Sequence, residues 1–147
     1  MNNSENFINK YLSKPNKTGG YKLNDINKEA ETTSDLDDLS ELQNHDDVII
    51  RAHAARNHNC TSAHIDKALN DSSGLVRQCA ALSHNATKEH LDKALNDEDV
   101  DVRDYAAENP NCTKEHLIKA LNDRNLYIRR SAKRNPNYKK FFPNGHT

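Results

Sequence analysis

The chain has 147 residues, 34% apolar, 5% aromatic and 29% charged, which leaves room for one domain and a flexible segment but not for two independent cores. No apolar run approaches the roughly 18–20 residues of a membrane span, and the opening MNNSENFINK is unlike a secretory leader, so a non-exported, cytoplasmic protein is expected. The net charge of −1 hides a gradient: residues 1–47 hold 5 Lys/Arg against 10 Asp/Glu, residues 48–123 hold 9 against 12, and residues 124–147 hold 7 against none.

Residues 1–32 are polar and interrupted by Pro15, Gly19 and Gly20, so they are expected to be largely disordered. Within them Phe7-Ile8 and Tyr11-Leu12 of SENFINKYLS form an i, i+1, i+4, i+5 cluster, which predicts a short helix able to dock on the rest of the chain or on a partner.

Residues 33–136 divide into four tandem repeats of 26 residues. Thr61, Thr87 and Thr113 fall in register, as do His64, His90 and His116, Ala68, Ala94 and Ala120, Leu69, Leu95 and Leu121, and Asp71, Asp97 and Asp123. The second half of each unit aligns through Val76-Arg77, Val102-Arg103 and Ile128-Arg129, then Ala80, Ala106 and Ala132. One period earlier Ile50-Arg51 and Ala54 follow Asp35, Leu39 and Leu42, a degenerate first unit. An end unit meets water on one side, so divergence there is expected.

Each unit reads as two short helices. The first begins at an N-cap threonine, with Cys60, Ala86 or Cys112 before it and Ile65, Leu91 or Leu117 five residues later as a hydrophobic staple. Its buried stripe is Ile65, Ala68, Leu69 and their equivalents, spaced i, i+3, i+4. The second runs from about Leu75 to Leu82, with Val76 and Ala80 inward. It stops at Asn57-His58, Ser83-His84, Asn109-Pro110 or Asn135-Pro136, the prolines forcing the residue before them out of the helical region. At two turns neither helix is stable alone, so stacking must supply the burial.

The pattern V-R-x-x-A-A-x-N-P-N-x-T-x-E-x-L-x-x-A-L-x-D of Val102 to Asp123 resembles the leucine-rich repeat variant and, more broadly, HEAT-like repeats, over about 104 of the 147 residues. The resemblance implies an all-α, right-handed α-solenoid in which α-helices alternate with short, often 3₁₀, helices. It also implies that Asp71 with Arg77, Asp97 with Arg103, and Asp123 with Arg129 form an inter-repeat ladder of hydrogen bonds and ion pairs. In the first unit His45 replaces the aspartate, with Asp46 and Asp47 near Arg51. One founding type carries an N-terminal cysteine cluster for an iron–sulfur centre; no cysteine precedes Cys60 here, so that cofactor is not carried over.

The residues with chemistry to offer are mostly scaffold. His64, His90 and His116 recur once per unit, about 10 Å apart at helix-packing distance, too far to share one metal ion. They are read as packing residues at helix position N3. Cys60 and Cys112 are staple residues, and Cys79 stands where Tyr105 and Ser131 stand in other units. Three cysteines without a C-x-x-C pair suit a reducing compartment and argue against a disulfide framework. The one glycine pair, Gly19-Gly20, makes no phosphate loop. The reading therefore assigns no catalytic residue, no metal and no cofactor.

Positions that vary between units are free to serve a partner. On the second helices they are Gln78, Asp104 and Arg130; Cys79, Tyr105 and Ser131; Ala81, Ala107 and Lys133; and Leu82, Glu108 and Arg134. In HEAT-like solenoids second helices tend to line the concave face, and here that row grades from neutral through acidic to basic. The last unit and residues 137–147 add Arg124, Arg129, Lys139 and Lys140, interleaved with Tyr127, Tyr138, Phe141 and Phe142. Three readings of this cluster stand: a solvated cap with the phenylalanines folded over the last apolar face, a site for an acidic protein surface, or a nucleic-acid grip. The expected function is a non-enzymatic adaptor or inhibitor that binds another protein through Gln78, Asp104, Tyr105, Glu108, Tyr127, Arg130, Lys133, Arg134, Lys139 and Lys140. A nucleic-acid binder using the C-terminal cations is the alternative. Neither a membrane nor a small-molecule substrate is expected, and abundant asparagine and lysine point to an AT-rich bacterial or phage genome.

Overall fold

The computed structural model describes residues 23–146. Helices α1 (Leu23–Thr32), α2 (Leu36–Leu42), α3 (Val48–Ala55), α4 (Ser62–Ala68) and α5 (Gly74–Ala81) are followed by α6 (Lys88–Ala94), α7 (Val100–Glu108), α8 (Lys114–Leu121), α9 (Leu126–Arg134) and α10 (Tyr138–Phe141). The fold is all-α. None of these helices is long and apolar enough to cross a membrane.

Contacts run between neighbours along the chain. The second helices form one layer in which α1 touches α3, α3 touches α5, α5 touches α7 and α7 touches α9. The first helices α4, α6 and α8 each bridge the second helix before them and the one after them. Between the layers lies a core of one branched residue and one alanine per helix: Ile65 and Ala68, Val76 and Ala80, Leu91 and Ala94, Val102 and Ala106, Leu117 and Ala120, Ile128 and Ala132. Alanine at every second contact lets such short helices approach closely, and burial by neighbours replaces the stability that seven to nine residues lack.

The first helices start as the threonine columns require, and histidine completes the cap. Thr61, Thr87 and Thr113 each accept the N–H of the histidine three residues on, while Nδ1 of His64, His90 and His116 accepts the threonine N–H at 3.1, 3.0 and 3.0 Å. This is a capping box with imidazole in the place glutamate usually takes. Second helices α3, α7 and α9 open instead on Asp47, Asp99 and Asn125, whose side chains each accept the N–H two residues on at 2.8 Å.

Three expectations are corrected. Residues 23–32, expected to be disordered, form α1, which packs on α3 as each second helix packs on the next and buries Ala30 completely. The helix expected over SENFINKYLS lies outside the described residues. The second helices, which the resemblance implied are often 3₁₀, are α-helices of eight or nine residues. Finally, Ala81 and Ala107, grouped with the display positions, are buried where successive second helices meet. Among the described residues only the last member of that column, Lys133, is exposed, with no further second helix to cover it there.

Residues 137–146 close the stack. Phe142 is buried, and Tyr138 and Phe141 pack against the core. Tyr138 and Phe142 lie with ring centroids 5.2 Å apart, with the Lys114 ammonium 5.9 Å from the Phe142 centroid. The 26-residue register puts α10 where the first helix of another unit would begin, with Phe142 in the histidine column and Pro143 ending the helix.

Candidate functional site

Three ladders tie the units together and show which side chains are committed to scaffold. In the first, Arg51 Nε and Nη2 grip the Asp71 carboxylate at 2.8 and 3.1 Å, and Arg77 grips Asp97 at 2.9 and 3.1 Å. Arg103 Nε meets Asp123 Oδ2 at 2.9 Å. The pairing therefore joins each arginine to the aspartate of the following unit. The aspartate six residues before an arginine contributes its carbonyl instead: Arg77 Nη1 donates to Asp71 O at 3.0 Å and Arg103 Nη1 to Asp97 O at 2.8 Å. Burial raises the Asp71 carboxyl, but the Arg51 bond and the Ser73 N–H outweigh it and hold the group below the ordinary carboxylate range.

The second ladder joins first helices. With Nδ1 of each histidine committed to the threonine N–H, the ring proton sits on Nε2, which meets Ser40 Oγ at 2.9 Å for His64, Asp66 Oδ1 at 3.2 Å for His90 and Asp92 Oδ1 at 3.2 Å for His116. Neither ring nitrogen is left to ligate a metal. Burial holds His64 below the usual imidazole value.

The third ladder lies outside the sequence expectations, in which Asn57, Asn109 and Asn135 stand only as helix stops. Asn109 is fully enclosed; its Nδ2 donates to Ala81 O and Ser83 O at 2.7 and 3.0 Å, and its Oδ1 accepts the Asn111 N–H at 2.8 Å. Asn135 repeats this on Ala107 O and Asn109 O, and Asn57 on Ala30 O and Thr33 O. Asn85, Asn111 and Asn137 form a parallel row on the carbonyls of His58 and Cys60, His84 and Ala86, and Pro110 and Cys112. The signal was present as N-x-N two residues apart, once per unit except at Ser83.

The thiols are equally committed. Cys60 and Cys112 are buried with Sγ donating to Ala54 O at 3.3 Å and Ala106 O at 3.2 Å, and burial pushes them up to about 11 and about 12 respectively. Cys79 is raised by burial as well. At neutral pH such groups hold their protons and are poor nucleophiles.

What remains uncommitted is the outer face of the second helices. Spacings of three, four and seven residues place Ile49 of α3 with its C-cap Arg56, Leu75 and Gln78 of α5 with its C-cap Leu82, Asp101 with Asp104 and Glu108 on α7, and Tyr127 with Arg130 and Arg134 on α9. The 26-residue register aligns the four sets across the stack. Ile49, Leu75 and Leu82 are exposed, and Tyr127 is 69% exposed, the most of any large apolar side chain among the described residues. The row thus runs from apolar through acidic to basic and aromatic. Of this row the expected binding residues include Gln78, Asp104, Glu108, Tyr127, Arg130 and Arg134; Ile49, Arg56, Leu75 and Asp101 are not among them, though their positions vary between units like the rest.

Not every expected binding residue joins this row. Gln78 and Asp104 are half-buried in it, and Asp104 Oδ1 is enclosed without a hydrogen-bond donor. Tyr105 is exposed beside Asp104. Glu108 and Arg134 meet in an ion pair at 3.0 Å, and Arg134 also donates to Ser131 Oγ at 2.7 Å. Lys133 lies on the end face instead of the row, and Lys139 and Lys140 are exposed on α10, where Lys140 sits 5.4 Å from the Phe141 ring centroid. No family model matches this sequence, and no curated protein matches it.

Proposed function

We propose that this chain is a non-enzymatic protein-interaction module, an adaptor or inhibitor, that holds another protein on the outer face of its second helices and at its basic C-terminal end. The observation that carries the reading is the contrast between columns. Threonine, histidine, aspartate, arginine and asparagine columns are consumed in caps and ladders, while the outer row leaves Ile49, Leu75, Leu82 and Tyr127 exposed beside carboxylates and guanidiniums. Exposed apolar and aromatic side chains interleaved with charged ones are the composition of a protein-binding surface. Nucleophilic catalysis needs an activated nucleophile beside a base; the buried thiols hold their protons, and the imidazoles of His64, His90 and His116 are bonded at both ring nitrogens. Likeness to leucine-rich-repeat-variant and HEAT-like stacks and three free cysteines support placing it, as a partner-binding solenoid, in a reducing cytoplasm, bacterial or phage-derived.

Nucleic-acid binding by the C-terminal cations is the alternative. Against it, Arg134 is already paired with Glu108, and Asp101 and Asp104 border the basic end. Affinity capture from the native host, with a nuclease-treated parallel, decides between them. A protein partner survives nuclease and its affinity falls gently between 50 and 200 mM salt, whereas contacts to several phosphates would weaken it by orders of magnitude. Reversing Arg130, Lys133 and Arg134 to glutamate abolishes capture; undiminished binding would sink the assignment of this end.

A further inference from the structure

We infer that Arg129 is an open rung of the arginine ladder and takes an aspartate or glutamate carboxylate from the partner protein. Its guanidinium is set like the others: Nη1 donates to Asp123 O at 2.8 Å and Arg124 O at 3.0 Å, as Arg77 Nη1 does to Asp71 O and Ser72 O. That fixes the plane and points the Nε–Nη2 edge along the stack. In Arg51 and Arg77 this edge holds a carboxylate bidentately, and in Arg103 through Nε. Among the described residues no carboxylate reaches the same edge of Arg129. Helix α10, which packs on α9, carries Lys139 and Lys140 and no acidic residue.

The neighbouring rungs also state what the edge fits. Each carboxylate they hold accepts the N–H two residues on in its own chain, from Ser73, Asp99 and Asn125 respectively. The ligand they specify is an acidic side chain in a tight turn, a planar two-oxygen group matched to two parallel N–H donors. Beside Arg129, Leu126 is 47% exposed and Tyr127 69%, an apolar flank suited to a protein surface and not to a phosphate chain. This inference deepens the proposed function and rests on it for the identity of the partner, though not for the chemistry of the site.

The test separates the two. In the full-length protein the Nε–H resonances of the arginines are followed by NMR at constant ionic strength during titration with N-acetyl-aspartate amide. N-acetyl-asparagine amide and inorganic phosphate serve as parallel probes. The Arg129 resonance should move saturably with the aspartate probe, half-complete at roughly millimolar concentration, and stay still with the asparagine probe. Arg51, Arg77 and Arg103, already filled, should not respond. An Arg129 signal that stays still, that moves no more than those of surface Arg124 and Arg130, or that prefers phosphate would overturn the assignment. With a captured partner, Arg129→Lys keeps the charge but loses the fork and should weaken binding roughly tenfold. Unchanged affinity would reject the rung while leaving the interaction module standing.

Discussion

Asn109 uses three hydrogen-bonding valences inside the protein, two from Nδ2 to carbonyls of the preceding unit and one at Oδ1 from its own turn. Removing it strands the buried Ala81 carbonyl and the Asn111 N–H and leaves Ser83 O with the Ala86 N–H alone, so Asn109→Ala should cost about 2–4 kcal/mol in urea denaturation. Ser83 holds the same position with a shorter side chain, and beside it lies a hollow of about 260 Å³ bordered by Asn57, Cys79, His84 and Pro110. Ser83→Asn should extend the ladder into that hollow and gain about 1 kcal/mol; a variant no more stable than the parent would show that the hollow is not the missing amide's place. His64 makes the fold pH-sensitive in a definite sense. Its imidazole is held below the ordinary value near 6.5 by burial, so the unfolded chain takes the proton first as pH falls. Its contribution is constant above that value and is lost as pH drops below it, by at most about 1.4 kcal/mol per pH unit. His64→Gln keeps an acceptor at N3 and should show a shallower fall in urea midpoint between pH 7 and 5; an unchanged slope would assign the effect elsewhere. Residue identities made the threonine, leucine and aspartate columns legible from the sequence. The asparagines were half-read, because a residue that ends a helix looks the same whether or not its amide reaches a neighbour.

The helices at the two ends show where periodicity stops being informative. Helix α1 has Leu23, Ile26 and Ala30 as its apolar residues, and Ile26 and Ala30 stand 24 residues before Ile50 and Ala54, not 26. A two-residue slip hides a half-unit from any search at fixed period, although the packed helix uses the same i, i+4 pair as the others. At the other end the period also misleads. Lys133 looks like display because it differs from Ala81 and Ala107, but the difference tracks burial: among the described residues no second helix packs on α9 as α9 packs on α7, and the position turns from packing to solvent. Helix α10 works as a plug whose grip is Phe142. Phe142→Ala should cost about 2–3 kcal/mol, somewhat under the range for a central aromatic since the site borders solvent. Hydrogen exchange checks it: protection should fall in α8 and α9 and hold in α3 and α4, and uniform loss across the chain would contradict a local plug.

At the scale of the molecule, each unit touches only its neighbours, so stability is a sum of adjacent interfaces and the ends open before the middle. All three ladders are counted in whole units, and this has a consequence for how the molecule can change. Excising residues 85–110 would bring Arg77 to Asp123, His116 to Asp66, Asn111 to the carbonyls of His58 and Cys60, and Asn135 to those of Ala81 and Ser83. Every donor of the three ladders would find an acceptor of the kind it had before. Such a chain should still unfold cooperatively, at a lower temperature, with circular dichroism per residue unchanged; loss of cooperativity would mean that the units are not interchangeable. Its outer row, however, would read differently, with Leu82 beside Arg134 and the acidic band gone. Duplication or loss of one cassette thus rewrites the recognition surface in a single genetic step while leaving the joints intact, so that such a protein can keep pace with a changing partner by altering its length.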